Sequence, residues 1–496
     1  MAMNEGQVGV AVRRDSPWWR SPAWADSDRD LRDVRSSGIS YDPRPLAGIV
    51  PGGLYLLYGP RRVGKTVSVK RAIEELLATG IDPLQIARVS VDGWQSNRLG
   101  TLYEYVVRVL TSSIGNKHRY WFIDEITAST GEWWSVVKNL RDNTAFGDDC
   151  IVLTGSSNAG LDEAIKAFAG RRGTAVYPDR TLLPMDFGDF CTSVGADLPQ
   201  IDGLRADELL SRRAEATWLD LARYTDDLVA AWQAYLEVGG YPNAVADWRR
   251  SNRVEVSTTQ ALWDVVRGEA LTTAMNEAVL GAVLGGISSR LTSLVNQARF
   301  AEDTGVTRGT LSTRIDALIG AFLAWSCPRA TSSGAPDYAR QRKLYFLDPL
   351  VAQLPHLIYG HESPDITRLN EQQLGVALLA WNERVQPGSI RSAQWVTHHR
   401  GTKGSEIDFA GICADSRQRS TPIEAKYVSD AWRQDALSIA NSTLRHGIVA
   451  TRDILEVSDA NAVWAVPASF VAYALSSYSK ATLNSRSREP AVPVVG

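Results

Sequence analysis

The sequence predicts an α/β fold, with a parallel sheet and crossover helices over residues 47–200 and a second α/β region over residues 365–475. Three observations lead there. Short apolar runs alternate with helical patterns: LYLLYG, KTVSVKRAIEELLATG, ARVSVDGW, LYEYVVRVLTSSI, YWFIDE, WWSVVKNLRDN and CIVLTGS read as strand, helix, strand, helix, strand, helix, strand. GPRRVGKT, Gly59 to Thr66, stands between the first strand and the first helix. YWFIDE closes a buried-strand pattern on Asp124 and Glu125.

Taken in chain order, residues 1–46 form an arginine-rich arm interrupted by SPWWRSPAW, with Trp18, Trp19 and Trp24 available to anchor it on the next domain. In the first helix Val69, Ala72, Ile73, Leu76 and Leu77 recur at helical spacing. Residues 201–285 read as a mainly helical segment, broken at GGYP, where Gly239 and Gly240 end a helix and Pro242 restarts the chain. Residues 286–350 begin as helix, turn, helix. Phe300 and Ala301 face inward, Gly305 turns, Thr307 caps, and Leu311, Ile315, Leu318 and Ile319 make the buried stripe. YARQRKLYFLD follows as a strand or wing. Residues 365–475 open with the helix LNEQQLGVALLAW and continue as short strands, and residues 476–496 form a flexible tail.

Composition bounds what such a chain does. At 496 residues it is too long for one core. Its 44% hydrophobic and 22% charged content is ordinary for a globular protein, and a net charge of -3 confines any nucleic-acid surface to a local patch. Four scattered cysteines with no C-x-x-C pair argue against zinc and disulfides. No signal-peptide pattern and no membrane-length apolar run occur, so the expectation is a cytoplasmic protein without a membrane partner.

The loop fits G-x-x-x-x-G-K-[ST] in the strand–loop–helix context that the motif requires. Its Gly59, Pro60, Arg61, Arg62, Val63 and Gly64 wrap phosphate oxygens with backbone N–H groups. Lys65 brings a point charge to the β- and γ-phosphates, Thr66 brings a hydroxyl to Mg²⁺, and the helix N-terminus adds its dipole. The expected ligand is therefore ATP with Mg²⁺. Asp124 holds the metal's water shell and Glu125 acts as general base. Thr154 or Ser156, ending the next strand, would lie beside the γ-phosphate, unless that strand simply ends in a turn. Arg171 or Arg172 in AGRRG offers a charge-stabilising arginine, in cis or on a neighbouring subunit, with a solvated turn as the plain alternative.

The chain resembles the bacterial and archaeal ATPases of the AAA superfamily that carry a C-terminal nuclease-like domain of unknown function. The matching pieces run in order from about residue 15 to about residue 470: PWW and a later Trp, GPRRVGKT, FIDE, LTGSS, AGRRG, LLPMDFGDF and YLEVGGYPNAV. The resemblance implies an AAA-type core over 47–200 that continues through Leu183-Pro184-Met185. It also implies a helical lid over 201–285, a winged-helix unit over 286–350 and a restriction-endonuclease-like domain over 365–475. The implied wider role is defence against, or maintenance of, mobile DNA.

Residues 286–350 hold eight basic and five acidic residues. Arg340, Arg342 and Lys343 on the wing, with Arg308, Thr310, Thr313 and Arg314 on the second helix, would meet a phosphate backbone; winged helices also serve as plain interaction modules. In SEIDFAGICADSRQRSTPIEAKY, Asp408 is followed at a fifteen-residue interval by Glu424-Ala-Lys426, the minimal pattern of the type II restriction-enzyme fold. In that fold two carboxylates bind Mg²⁺ and the lysine orients water. Alternation puts Glu424 and Lys426 on one strand face, and Glu371 on the preceding helix is a further candidate metal ligand. Many hairpins meet so short a pattern by chance. His398 and His399 read as strand-end residues. The expectation is an ATP-hydrolysing protein coupled to a DNA- or RNA-facing, Mg²⁺-dependent nuclease module, working as a homo-oligomer or with a protein partner. The alternative is an ATP-dependent regulatory switch with an inactive nuclease-like fold.

Overall fold

The computed structural model describes residues 5–115, 117–156, 160–272, 275–389, 395–401, 406–457 and 462–478. The expected tail beyond residue 478 lies outside them. The chain divides into two units, one of residues 1–38 with 42–183, the other of residues 39–41 with 184–496. Among the described residues no helix is long and apolar enough to cross a membrane.

The first unit is α/β. Its five strands, β1 (Leu54–Tyr58), β2 (Ile86–Ser90), β3 (Tyr120–Asp124), β4 (Cys150–Thr154) and β5 (Asp179–Thr181), form one sheet in the order β2-β3-β4-β1-β5. Every neighbour is parallel. Helices Lys65–Ala78, Arg98–Ile114 and Trp133–Asn143 make the crossovers. A sheet covered on both faces explains why β1, β3 and β4 are buried at every residue and read as continuous apolar runs. The order also places β4 between the strand that leads into the phosphate loop and the strand that ends in Asp124.

Residues 5–38 of the arm belong to this unit and cover the open edge of β2. Ser16 Oγ accepts from the Arg88 N–H at 3.0 Å and donates to the Arg88 carbonyl at 3.1 Å. The indole N–H groups of Trp18 and Trp19 both donate to the Ile86 carbonyl, and Asp15 accepts from the Ser90 N–H. Edge strands expose unpaired backbone groups, and here side chains take them up in place of another strand. Asp28 and Asp30 clamp Lys70 at 2.6 and 2.7 Å, tying the arm to the helix that starts at Lys65.

The second unit opens with helices Phe187–Val194, Arg212–Leu221, Thr225–Val238, Pro242–Ser251 and Val256–Thr272. Gly239 ends the third of these at φ +76° and Pro242 starts the next. After helix Glu277–Ser289, helices Gln297–Asp303 and Arg308–Gly320 flank the Gly305 turn, with Thr307 accepting from the Thr310 N–H. Leu311, Ile315 and Leu318 are buried and Ile319 is half-buried. Strands β6 (Ala324–Cys327) and β9 (Lys343–Phe346) pair antiparallel, as do β7 (Arg329–Ala330) and β8 (Pro336–Asp337). Leu294 bridges to Lys343 from the other side of β9.

Helices Pro349–Tyr359 and Ile366–Val385 lead into the last part. There β10 (His399–Arg400) and β11 (Glu406–Ile407) form an antiparallel pair. Phe409 bridges antiparallel to Ile423, which begins β12 (Ile423–Ala425). Strands β12, β13 (Gly447–Thr451) and β14 (Val463–Pro467) are parallel, with helix Trp432–Ala440 crossing between β12 and β13.

Candidate functional site

The loop after β1 is shaped by what its glycines permit. Gly59 has φ +141°, and a Cβ there would stand 2.0 Å from the Leu182 carbonyl oxygen, so no other residue fits. Gly64 turns into the helix at φ +102°. Arg62 adopts φ +69° without being glycine, a sparsely populated conformation. Val63 is wholly buried and holds the loop down, while Arg61 and Arg62 are exposed. Lys65 is buried, and its Nζ donates to the carbonyls of Gly59 and Pro60 at 2.8 Å each. The loop therefore curls around its own ammonium.

Asp124 lies at the centre of the neighbouring groups. Thr66 Oγ1 donates to its Oδ2 at 3.0 Å, and Thr154 Oγ1 donates to its Oδ1. Arg88 Nη2, from β2, stands 2.6 Å from Oδ2. Burial is the largest influence on this carboxyl and pushes its pKa up. The Arg88 charge and the hydrogen bonds from Thr154, Arg88 and Thr66 together outweigh it, and the net pKa is lowered. Glu125 follows at φ +56°; its N–H donates to Thr154 Oγ1 at 3.1 Å and its Oε2 accepts from Ser156 Oγ at 2.9 Å. Both hydroxyls that end β4 are thus engaged with the acidic pair.

Lys65, Thr66, Asp124, Glu125, Thr154 and Ser156 come together at the C-terminal ends of β1, β3 and β4. Arg171 and Arg172 do not join them. The Arg172 carbonyl accepts from the Leu54 N–H, at the opposite end of β1 from the loop. Arg171 pairs with Asp142 at 2.7 Å, and Arg172 pairs with Asp179 at 2.8 Å. A cis role for either arginine is therefore corrected: the length of β1 separates them from the loop. Arg88 is the residue that sequence reasoning missed. Its signal was a lone cation inside ARVSV, a strand otherwise fit for burial.

The second unit brings Glu371, Asp408, Glu424 and Lys426 into one cluster, around a residue that had been expected in solvent. Lys343, on β9, is not a wing residue facing nucleic acid: its side chain is 1% exposed. Its Nζ lies 2.7 Å from Asp408, 2.8 Å from Glu406 and 3.0 Å from Glu371. Tyr345 OH donates to Glu371 Oε1 at 2.5 Å, and the Ala425 N–H donates to Asp408 Oδ2 at 2.9 Å. Lys426 pairs with Glu424 at 3.1 Å. The alternation that puts Lys343 and Tyr345 on one face of β9 turns both toward helix Ile366–Val385.

Burial and the Asp408 charge push Glu371 up to about 8, against the opposing pull of Lys343. Burial and Asp408 likewise push Glu424 up to about 8, with Lys426 opposing. Burial lowers Lys343, but Asp408, Glu371 and Glu406 outweigh it and the net shift is upward. Both shifts favour the protonated forms of Glu371 and Glu424. Among the described residues no three His, Cys, Asp or Glu side chains are placed to hold a metal ion. Lys343 Nζ stands among Glu371, Glu406 and Asp408, in the space that an ion shared by Asp408 and Glu371 would use, while Glu424 pairs with Lys426. His398 is wholly buried beside β10, and His399 lies on β10 itself.

Residues 52–191 match the family model of an AAA domain, and residues 229–354 match a domain of unknown function, DUF8612. No curated protein matches the chain. Among solved structures, RuvB of Thermotoga maritima is 16% identical over 56% of this chain and 82% of its own, with a TM-score of 0.25. ORC2 of Aeropyrum pernix, in ADPNP–ADP complexes, is 13% identical over 66% of this chain and 94% of its own, also with a TM-score of 0.25. The domain match and the sheet with its loop make the first unit a P-loop ATPase domain of AAA type.

Proposed function

We propose that this protein is an ATP-dependent switch. It binds and hydrolyses ATP in the first unit, and its nucleotide state sets what the second unit binds, without cutting a phosphodiester bond. The observation that carries the ATPase half is the convergence of Lys65, Thr66, Asp124, Glu125, Thr154 and Ser156 at the ends of three adjacent strands. Loop amides and Lys65 would receive the phosphates, and Thr66 and Asp124 would hold Mg²⁺. The donor set fits that ion: an ionised carboxylate beside a hydroxyl, next to a loop whose closest approach only glycine permits. Magnesium supplies positive charge that offsets charge building on the transferring phosphoryl group. Glu125 accepts a proton from the attacking water, and Ser156 holds its carboxylate in place. Thr154 keeps Asp124 and the Glu125 backbone in register. Arg171 or Arg172 would act only on the nucleotide of a neighbouring copy.

The second unit supports the non-cleaving reading. Its order of helix, three strands, helix and strand over residues 366–451 is compatible with a restriction-endonuclease-like core, and residues 277–346 with a winged helix. Lys343 lies 2.7 Å from Asp408, inside the acidic cluster that a cleaving site would use for a metal, and this supports the non-cleaving reading. Nucleic acid, as DNA or RNA, is the partner proposed for this unit.

Phosphate release from ATP tests the proposal on the purified chain with Mg²⁺. Lys65→Ala should lose nucleotide binding. Glu125→Gln should bind ATP and turn it over at least about 100-fold more slowly, the scale of a general base. Undiminished turnover in Glu125→Gln, or none in the unaltered protein, would remove the ATPase assignment.

A further inference from the structure

A cleft of about 550 Å³ opens in the second unit beside the carboxylate cluster, with Arg329, Arg340 and Arg400 in its lining. None of the described residues that line it is acidic. The three arginines come from separate segments: β7, the connection before β9, and β10.

The acids that face these arginines across strand pairs are Glu406, opposite Arg400, and Asp337, opposite Arg329. Glu406 faces Arg400 across the β10–β11 pair, yet its carboxylate lies 2.8 Å from Lys343 Nζ. Asp337 stands 3.7 Å from an Arg340 side chain that is 65% exposed, a loose pair in water. Arg329 gives one N–H to the Arg400 carbonyl at 2.7 Å, fastening two of the segments together.

The wall behind them is fixed. The Ala330 N–H donates to the His398 carbonyl at 2.7 Å, and the His398 N–H donates to the Pro328 carbonyl at 2.9 Å. The His398 ring is wholly buried, with Nε2 3.3 Å from the Gln341 carbonyl oxygen. Burial lowers its pKa to about 4, so at neutral pH the charge on the cleft is that of the arginines. By taking Glu406, Lys343 leaves its neighbour Arg400 without a carboxylate among the described residues.

We propose that this cleft binds the phosphodiester backbone of a nucleic-acid strand, through Arg329, Arg340 and Arg400. Guanidinium groups present planar forks of donors that match phosphate oxygens, and exposed ones bind them at small desolvation cost. A strand seated there passes β9 and the β10–β11 pair, the elements that carry Lys343 and Glu406. The contact surface is thus the cleft and not the second helix of the helix–turn–helix, where the exposed Arg308 would be the anchor. The inference rests on the reading of the second unit as facing nucleic acid.

Fluorescence anisotropy of labelled single- and double-stranded DNA and RNA, titrated with the full chain over a range of salt, tests it. Arg340→Glu with Arg400→Glu should weaken binding at least about tenfold and flatten the salt slope by about 1–2, the expectation for lost phosphate contacts. Both side chains are exposed, so thermal unfolding should be unchanged. Arg308→Glu should bind as the unaltered chain does. Equal loss in Arg308→Glu, unchanged binding in the cleft variant, or no nucleic-acid binding at all overturns the assignment. So does binding of inorganic polyphosphate without binding of any nucleic acid. Failure of the ATPase proposal would show separately, as absent phosphate release from the unaltered protein.

Discussion

Replacing Lys343 by methionine keeps most of the side-chain volume and removes one charge. The magnitude follows from the cluster. The ammonium is 1% exposed and touches three carboxylates at 2.7, 2.8 and 3.0 Å. At an effective dielectric of about 20, each contact with an ionised carboxylate is worth roughly 5 kcal/mol before desolvation. Most of that gross attraction offsets the cost of burying the charges, and removing one partner of a buried pair costs about 3–5 kcal/mol net. The loss depends on pH in a stated direction. Without Lys343 the pKa of Glu371, already near 8, rises further. A folded pKa above the unfolded value means stability present at low pH and lost as pH rises through the folded value. The variant should therefore lose about 3–5 kcal/mol near pH 8 and less near pH 5.5. Calorimetry of the full chain reads this as a fall of about 5–15 °C in the transition that ATP with Mg²⁺ does not shift. The vacated space also leaves Glu371, Asp408 and Glu406 around one point, so Mn²⁺ should raise the transition of Lys343→Met and not that of the unaltered protein. A variant as stable as the parent, or a parent that itself binds Mn²⁺, would refute the idea that Lys343 stands where a metal would.

Arg88→Met should cost about 3–5 kcal/mol in the absence of nucleotide, because Asp124 is 2% exposed and loses its cation; unfolding measured with saturating ATP and Mg²⁺ should recover much of it. Gly59→Ala should abolish binding of a fluorescent ATP analogue, since the new Cβ would meet the Leu182 carbonyl oxygen at 2.0 Å; unchanged affinity would mean the loop adapts. Asp348 is buried and accepts from the Gly240 and Leu350 N–H groups. Burial, the larger effect, lifts it to about 7 despite those bonds. The unaltered chain should therefore lose stability relative to Asp348→Asn as pH rises from about 4 to about 7, by up to about 1.4 kcal/mol per pH unit in the middle of that range.

The first unit was legible because its rules are local. Buried parallel strands read as apolar runs, and a strand–loop–helix motif states its own chemistry. Thr307, Gly305 and the Gly239–Pro242 break were likewise where capping and turn chemistry put them. The misreadings came from charge in strands. ARVSV and KLYF each carry one basic residue, and local pattern cannot say whether a strand cation faces water or an acid far along the chain. Lys343 meets Glu371 and Asp408 across 28 and 65 residues. Arg88 meets Asp124 across 36 residues. Whether the arginines of AGRRG act in cis was not legible for a related reason: sequence order does not reveal which end of a parallel strand a returning segment reaches.

Both acidic centres are matched by a buried cation from another strand, and the comparison separates their chemistry. At Asp124, Arg88 and two hydroxyls keep the carboxylate ionised below its usual range, and the cation touches one oxygen of one acid. Such a group offers charge to a bound ion at any physiological pH. In the second unit Lys343 reaches three carboxylates at once, and Glu371 and Glu424 are pushed toward the protonated form. An ion bound there would have to displace a buried ammonium. A nucleotide that brings its own cation suits the first arrangement. In the second a lysine already stands among the carboxylates, and the arginines of the cleft lie next door.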